Sequence, residues 1–374
     1  MSIYIKRIAL VLLALVFVVL IGIYFLLRSS LPQLDGDITL QGLSNTTTIE
    51  RDSNGTVTIK AETDADSMRA LGFVHAQERY FEMDLLRRSA SGELSALFGE
   101  IAIEKDKSIR IHRLRSRIQQ HYAQMVGSES DNLVAYSEGI NAGLNALKSK
   151  PWPYLLLNTK PEAWKPEDTF LVGFAMFFDL QDEDNEREYK LWQLKNVLPA
   201  PLYNMLTQSQ SGWDAPLFGE AKNVVVIPTA EQVKLNSYTS PQLAFEPNKL
   251  SEAVGSNNFA VSGALTADGR AIVADDMHLG LRAPNIWFRA RLLTGKNSDV
   301  SGFSLPGIPS IIVGSNTHIA WGFTNSYGDW ADFVRVQWLD PKHTKYLDSK
   351  GVEQTVSVFN ETIKVKGKQD IIFP

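Results

Sequence analysis

The chain has 374 residues, no cysteine and a formal net charge of −5, from 37 basic and 42 acidic side chains. That length suits one large domain or two. The missing cysteines exclude disulfides, thiol nucleophiles and Cys-ligated zinc, and the net acidity without a Lys/Arg block excludes a nucleic-acid surface.

Ile8–Leu27 is an unbroken apolar run, preceded by Lys6–Arg7 and followed by Arg28. Its length suits a transmembrane helix. The alternative is a cleaved signal peptide, but the exit Arg28–Ser29–Ser30–Leu31–Pro32 has no small-residue cleavage pattern. We therefore read residues 1–30 as an uncleaved anchor. Lys6 and Arg7 place the N-terminus in the cytoplasm and the rest on the periplasmic or extracellular face. After a linker at 30–36, the alternating stretches Ile38–Leu43, Thr46–Arg51 and Thr56–Ala61 predict strands. Asp52–Ser53–Asn54–Gly55 is the turn of a hairpin.

Asp64 to about Leu97 has helical spacing, with Met68, Leu71, Val74, Phe81, Leu85 and Leu86 recurring and Gly92 as a break. Arg79, Arg87 and Arg88 cluster in it and read as surface charge. Ile101–Leu147 is helical again. Pro151–Trp152–Pro153 and the Lys–Pro pairs at 160–161 and 165–166 are breakers. Asp168–Asp179 is an apolar helix or pocket wall. The acidic run Asp179–Glu188 leads into an amphipathic helix from Tyr189 to Leu198.

Residues 220–255 lack a period and are rich in polar residues and proline. A connection that long is functional or disposable. Beyond it the texture becomes strands: Phe259–Ser262, Ala271–Ala274, Ile286–Leu293, Val300–Phe303, Ile311–Val313, His318–Phe323, Phe333–Trp338 and Val356–Val365. The class is α+β, with a mostly helical first part and a mostly sheet second part.

Gly255–Ser256–Asn257–Asn258 lies where the irregular segment meets the strands. Cutting the Gly255–Ser256 bond would give Ser256 a free α-amine beside its hydroxyl. An α-amine titrates near about 7.7–8.0, so part of it is neutral at neutral pH and can take the hydroxyl proton. That makes nucleophile and base out of one residue. Gly-Ser-Asn also reads as a plain turn, and Gly314–Ser315–Asn316 repeats it.

Several ordered blocks resemble the penicillin acylase family of N-terminal-nucleophile hydrolases. They are Leu71–Gly72–Phe73–Val74–His75–Ala76–Gln77–Glu78–Arg79 with Met83–Asp84–Leu85–Leu86–Arg87–Arg88 and Gly92–Glu93–Leu94; Gly255–Ser256–Asn257–Asn258; Asp275–Asp276–Met277–His278–Leu279 with Pro284–Asn285–Ile286–Trp287; Pro306–Gly307–Ile308–Pro309 with Gly314–Ser315–Asn316; and Ala320–Trp321–Gly322–Phe323–Thr324–Asn325 with Asp329–Trp330–Ala331–Asp332. The resemblance runs from about Leu31 to the end.

It implies an αββα sandwich, incomplete here, and a precursor that cleaves itself. Residues 31–228 would form a light chain, 229–255 a spacer and 256–374 the start of a heavy chain. The family's heavy chain continues well past Pro374, so we expect this one to be truncated. Ser256 would attack acyl amides, of a β-lactam side chain or an acyl-homoserine lactone, through an acyl-enzyme. Asn325 would give its backbone N–H to the oxyanion, a contact worth about 3 kcal/mol, and His278 would stand near the nucleophile. The resemblance also implies one Ca²⁺, held by Asp329, the carbonyl of Ala331, Asp332 and a light-chain glutamate, Glu188 or its rival Glu186. Oxygen ligands suit that ion. Met176, Leu279 and Val313 fall where the family lines its substrate pocket. Two other readings stand beside this one. A membrane-anchored homologue would only bind a ligand or partner. A serine hydrolase with a His–Asp relay would need a nucleophile elbow, and no G-x-S-x-G is present.

Overall fold

An apolar run with no partner strand satisfies its backbone as a helix. In the computed structural model, which describes residues 2–181, 185–208, 219, 226–234, 255–325 and 330–374, that run is α1 (Ser2–Ser29). Its span reaches a mean hydropathy of 3.2, none of it buried. Its end is tied down at Ser29, whose Oγ lies 2.8 Å from Ser149 Oγ and whose carbonyl accepts from the Ser149 amide. The strand expected at Ile38–Leu43 does not form: Gly36, just before it, and Gly42, within it, turn the backbone with φ of 99° and 84°.

The chain divides into two compact units. The first comprises Met1–Phe178, Gly255–Asn325 and Val358–Pro374; the second comprises Asp179–Val254 and Ser326–Ser357. In the first, β1 (Thr48–Arg51) and β2 (Val57–Ala61) form the predicted hairpin. Asp52 Oδ1 accepts from the Asn54 and Thr56 amides in its turn. Val57, Ile59 and Ala61 point inward, as a period of two requires.

Next comes α2 (Asp64–Ser91). Thr63 caps it by accepting from the Asp66 amide, and Gly92, at φ 64°, closes it in the left-handed conformation. Then follow α3 (Ser95–Phe98), α4 (Ile103–Arg110), α5 (Leu114–Val126), α6 (Ser130–Ala146), α7 (Trp152–Leu156) and α8 (Asp168–Leu180). The breaker reading of Pro151–Trp152–Pro153 thus yields to a short helix, with Pro153 in its first turn where a missing N–H is harmless.

Helices α2 and α6 touch backbone to backbone. A Cβ on Gly72, Gly139 or Gly143 would run into the carbonyl of Tyr136, Arg69 or Phe73 on the facing helix. The crossing therefore needs all three positions small.

The strand half of this unit contains β3 (Gly255–Val261), β4 (Ile272–His278), β5 (Phe288–Thr294), β6 (Ser298–Ser304), β7 (Ile311–Ser315) and β8 (Ala320–Trp321). One six-stranded sheet runs β1-β2-β5-β6-β7-β8, with β2–β5 parallel and its other pairs antiparallel. Among the described residues β3 and β4 pair only with each other. The strand predicted over His318–Phe323 shortens to β8. The core packs α2 and α6 against the sheet through Leu71, Val74, Met83, Tyr136, Ile140, Ala290 and Leu292.

Buried polar groups fix how helices meet sheet. His75 Nδ1 is 2.7 Å from Tyr136 Oη, and its Nε2 is 3.0 Å from Ser304 Oγ. Ser304 donates onward to the Phe288 carbonyl, and Tyr136 accepts from the Gly307 amide. These directions make His75 neutral with its proton on Nε2. Burial, helped by Arg79, pushes its pKa down to about 3.

The surface reading of Arg87 and Arg88 is overturned, since each is 3% exposed. Asp84 Oδ1 accepts from Nε of both, and its Oδ2 accepts from Tyr154. Arg87 Nη1 reaches Asp168 at 2.6 Å, and Arg115 grips Glu93 with two nitrogens and Asp168 with a third. Helical spacing sets Asp84 three and four residues before Arg87 and Arg88, but it carries no sign of their burial, because Tyr154 and Asp168 come from distant helices.

The second unit holds α9 (Glu186–Val197), α10 (Ala200–Thr207) and a three-stranded antiparallel sheet of β9 (Gln337–Trp338), β10 (Lys345–Leu347) and β11 (Glu353–Thr355). The strand predicted over Phe333–Trp338 is reduced to β9. Most of the expected spacer, residues 235–254, lies outside the described residues. The chain returns to the first unit with β12 (Glu361–Ile363) and β13 (Ile371–Phe373), an antiparallel pair.

Candidate active site

In the β3–β4 ribbon, Gly255 faces His278, Ser256 faces Met277, Asn257 faces Asp276 and Asn258 faces Asp275. Side chains alternate between the faces of a ribbon. Ser256 and Asn258 therefore share one face with Met277 and Asp275. Asn257 shares the other with Asp276 and His278. A one-residue shift would exchange the two sets.

On the first face the Asn325 backbone N–H donates to Ser256 Oγ at 2.5 Å. The two residues lie 69 positions apart in the chain. The segment 322–325 lies over this face: a Cβ on Gly322 would stand 2.8 Å from Asn258 Nδ2 and from Cβ and Cγ of Asp275. The Ser256 hydroxyl is thus oriented by a main-chain donor, which among substitutions at 325 only proline removes directly.

His278 belongs to the other face. Its Nε2 lies 3.0 Å from Asn257 Nδ2 and 3.1 Å from Asp276 Oδ2. One ring nitrogen can accept from the amide or donate to the carboxylate, not both at once. Its Nδ1 lies beside Gly255, 3.3 Å from where a Cβ there would be. His278 thus flanks the proposed cut from the side opposite the Ser256 hydroxyl.

The second Gly-Ser-Asn ends strand β7 at Ser315 and opens a turn. Ser315 Oγ donates to the Ile319 carbonyl at 3.0 Å and accepts from the Thr317 amide, and Asn316 Oδ1 accepts from the His318 and Ile319 amides. Identical tripeptides differ because the first begins β3 and runs on along it, while the second ends β7 and leads into the turn before β8.

Of the expected calcium ligands, Asp329 and the side chain of Glu186 lie outside the described residues. Within the second unit, Asn185, at the start of α9, donates from Nδ2 to the Ala331 carbonyl at 3.1 Å. The Tyr189 and Phe333 rings are 5.8 Å apart, so the α9 segment bearing Glu188 runs alongside the segment bearing Ala331 and Asp332. These are oxygen donors of the kind calcium takes, and the Ala331 carbonyl keeps a second lone pair. Met176 packs against the principal core, Leu279 follows β4 directly, and Val313 pairs with Phe303 in the sheet.

A cavity of about 350 Å³ lies elsewhere in the first unit, walled by Arg87, Arg88, Glu93, Arg110, Arg115 and Asp168. Its arginines are ion-paired, which makes it part of the buried charge network and not of the site at Ser256. Local sequence gives Asn258, Asp275 and Gly322 no role. Only the strand register and the return of the chain at 322 bring them together.

Residues 46–373 match the Penicillin amidase family. The chain belongs to that family. It is 29% identical over 344 residues to an acyl-homoserine lactone acylase, QuiP, of Pseudomonas aeruginosa, covering 91% of this chain and 40% of that protein. It is 30% identical over 356 residues to the penicillin acylase 2 proenzyme of Pseudomonas sp. strain SE83, covering 92% and 44%. The chain therefore spans about two fifths of the length of these relatives. A thermostable penicillin G acylase from Alcaligenes faecalis aligns in structure with a TM-score of 0.39 and 23% identity, over 48% of this chain and 98% of that one. At that score it carries no argument about fold.

Proposed function

We propose that this chain carries the nucleophile of a self-processing amidohydrolase that cleaves acyl amides. The observation that carries the reading is the Asn325 N–H aimed at Ser256 Oγ at 2.5 Å, on a strand that begins at Gly255. A main-chain donor held there orients the hydroxyl, and it is within reach of the oxyanion that forms when Oγ bonds to a carbonyl carbon.

In processing, Ser256 Oγ attacks the Gly255 carbonyl. The C–N bond breaks, the Ser256 nitrogen takes the proton, and Gly255 is left as an ester. Water opens the ester, leaving a Gly255 carboxylate and a free Ser256 α-amine. In turnover that amine takes the hydroxyl proton as Oγ attacks the substrate carbonyl and hands it to the departing amine. Water then releases the acyl group. His278, flanking Gly255, orients the scissile peptide. Residues 31–228 become the light chain, 229–255 the spacer and 256–374 the start of the heavy chain, within an αββα sandwich.

The relatives are named acyl-homoserine lactone acylase and penicillin acylase 2 proenzyme. Both names support an acyl-amide substrate, and the word proenzyme supports a processed precursor. Met176, Leu279 and Val313 would line the acyl pocket. Glu188, Asp329, the Ala331 carbonyl and Asp332 would hold Ca²⁺, which supplies a cross-link between the chains and takes no part in bond making. The apolar α1 would anchor the protein on the periplasmic side of the membrane.

The test is N-terminal sequencing and gel analysis of the purified chain and its Ser256→Ala variant. The wild type splits with Ser256 at the new terminus, and Ser256→Ala stays whole. A Ser256→Ala chain that still splits there would end the reading.

A further inference from the structure

The Ser256 hydroxyl takes its orientation from the Asn325 N–H, so whatever places residues 322–325 places the donor. Two residues do so visibly. Asn258 and Asp275 face each other across the ribbon, next to the Ser256–Met277 pair and on the Ser256 face. Gly322 rests on both: its Cα comes so close that any Cβ would stand 2.8 Å from Asn258 Nδ2 and from Cβ and Cγ of Asp275. Three residues on, the chain delivers the Asn325 amide to Oγ.

Asp275 has a second peculiarity. Both carboxylate oxygens are buried, and neither has a hydrogen-bond partner among the described residues. Such a group is unfavourable for stability. No hydrogen bond from the described residues holds its carboxylate, so its place is set by packing between the ribbon and Gly322.

We propose that Asn258 and Asp275 form a seat for Gly322, and that Asp275 is a positioning residue for the reaction at Ser256. This rests on Ser256 being the processing nucleophile, as proposed above. The seat acts through shape. The flat carboxyl group and the bare Cα of Gly322 set the height of the segment over the ribbon, and a shift of about 1 Å in a reacting geometry costs on the order of a hundredfold in rate.

The experiment follows self-cleavage of the full chain on gels over time, with the thermal midpoint of each uncleaved precursor measured in a Ser256→Ala background. Gly322→Ala lifts the segment and slows splitting at least tenfold. Adding Asp275→Gly to it vacates the space the methyl needs and recovers at least threefold. Asp275→Asn keeps the shape and removes a buried, unpartnered charge, so its midpoint rises while its rate stays within threefold of wild type. Asp275→Leu, bulkier and not flat, slows splitting at least tenfold. A purely structural role would make rate follow the thermal midpoint through the series, and that result overturns the seat. So does a Gly322→Ala chain that splits at the wild-type rate while Ser256→Ala remains whole. A wild-type chain that never splits fails the proposed function itself, and the seat with it.

Discussion

The charge cluster around α2 and the β3–β4 ribbon are both rich in polar residues, yet they treat them in opposite ways. Around α2, Asp84 is fully buried and accepts three hydrogen bonds, while Arg87 and Arg88 are nearly as buried and share its Oδ1. On the ribbon, Asn257, Asn258, Asp276 and His278 are exposed, and the carboxylate most enclosed, Asp275, has no partner among the described residues. The first region uses charge to lock helices together. The second leaves polar groups loosely engaged beside a hydroxyl oriented by one N–H. With Ser256 as the proposed nucleophile, stability and reactivity fall to different parts of one unit.

The hardest test of that division is Asp84→Ala. It removes the carboxylate oxygen that two buried guanidiniums share, and breaking a buried pair this way costs about 3–5 kcal/mol. Urea unfolding would measure it, and a loss below about 1 kcal/mol, the level of a surface pair, would erase the distinction.

Acid provides the next. His75 is buried and neutral, with its pKa pushed down to about 3 from 6.5. The folded state thus refuses a proton that the unfolded state accepts. Its contribution to stability is complete above pH 6.5 and is lost as pH falls from there toward about 3. The slope from this one group approaches about 1.4 kcal/mol per pH unit. Unfolding at a series of pH values should show wild type losing that slope relative to His75→Gln. Parallel curves for the two proteins would mean His75 titrates normally.

The smallest expected effects sharpen the comparison from the ribbon's side. Ser256→Ala should leave stability within about 0.5 kcal/mol, the usual range for surface substitutions, while abolishing self-cleavage. Ser315→Ala should lose about 1 kcal/mol for its turn hydrogen bonds and cleave at the wild-type rate. If Ser315→Ala blocked cleavage, the roles of the two Gly-Ser-Asn copies would be reversed.

Much of this molecule is legible in its amino-acid sequence. Period-two alternation locates β2 and the hairpin, and helical spacing with Gly92 locates α2 and its end. The tripeptide at Ser256, taken with the ordered family blocks, singles out Ser256 and Asn325, which the structure brings into contact. Those signals are local: propensity, period, turn chemistry and short motifs act within a few residues of where they are read.

Other features depend on packing between distant segments. Asp84 stands one turn from Arg87 and Arg88 on α2, but the three are buried, with Tyr154 and Asp168 joined to them, only when α2, α7 and α8 pack. His278 lies on the face away from the Ser256 hydroxyl because strand register, not sequence distance, decides which side chains share a face. The return of the chain at 322 sets Asn258 and Asp275 under Gly322 and closes the 69-residue gap between Ser256 and Asn325. The order of residues thus establishes which side chains can do chemistry. Which of them meet is decided by long-range contacts, whose partners lie too far apart along the chain for any local pattern to record.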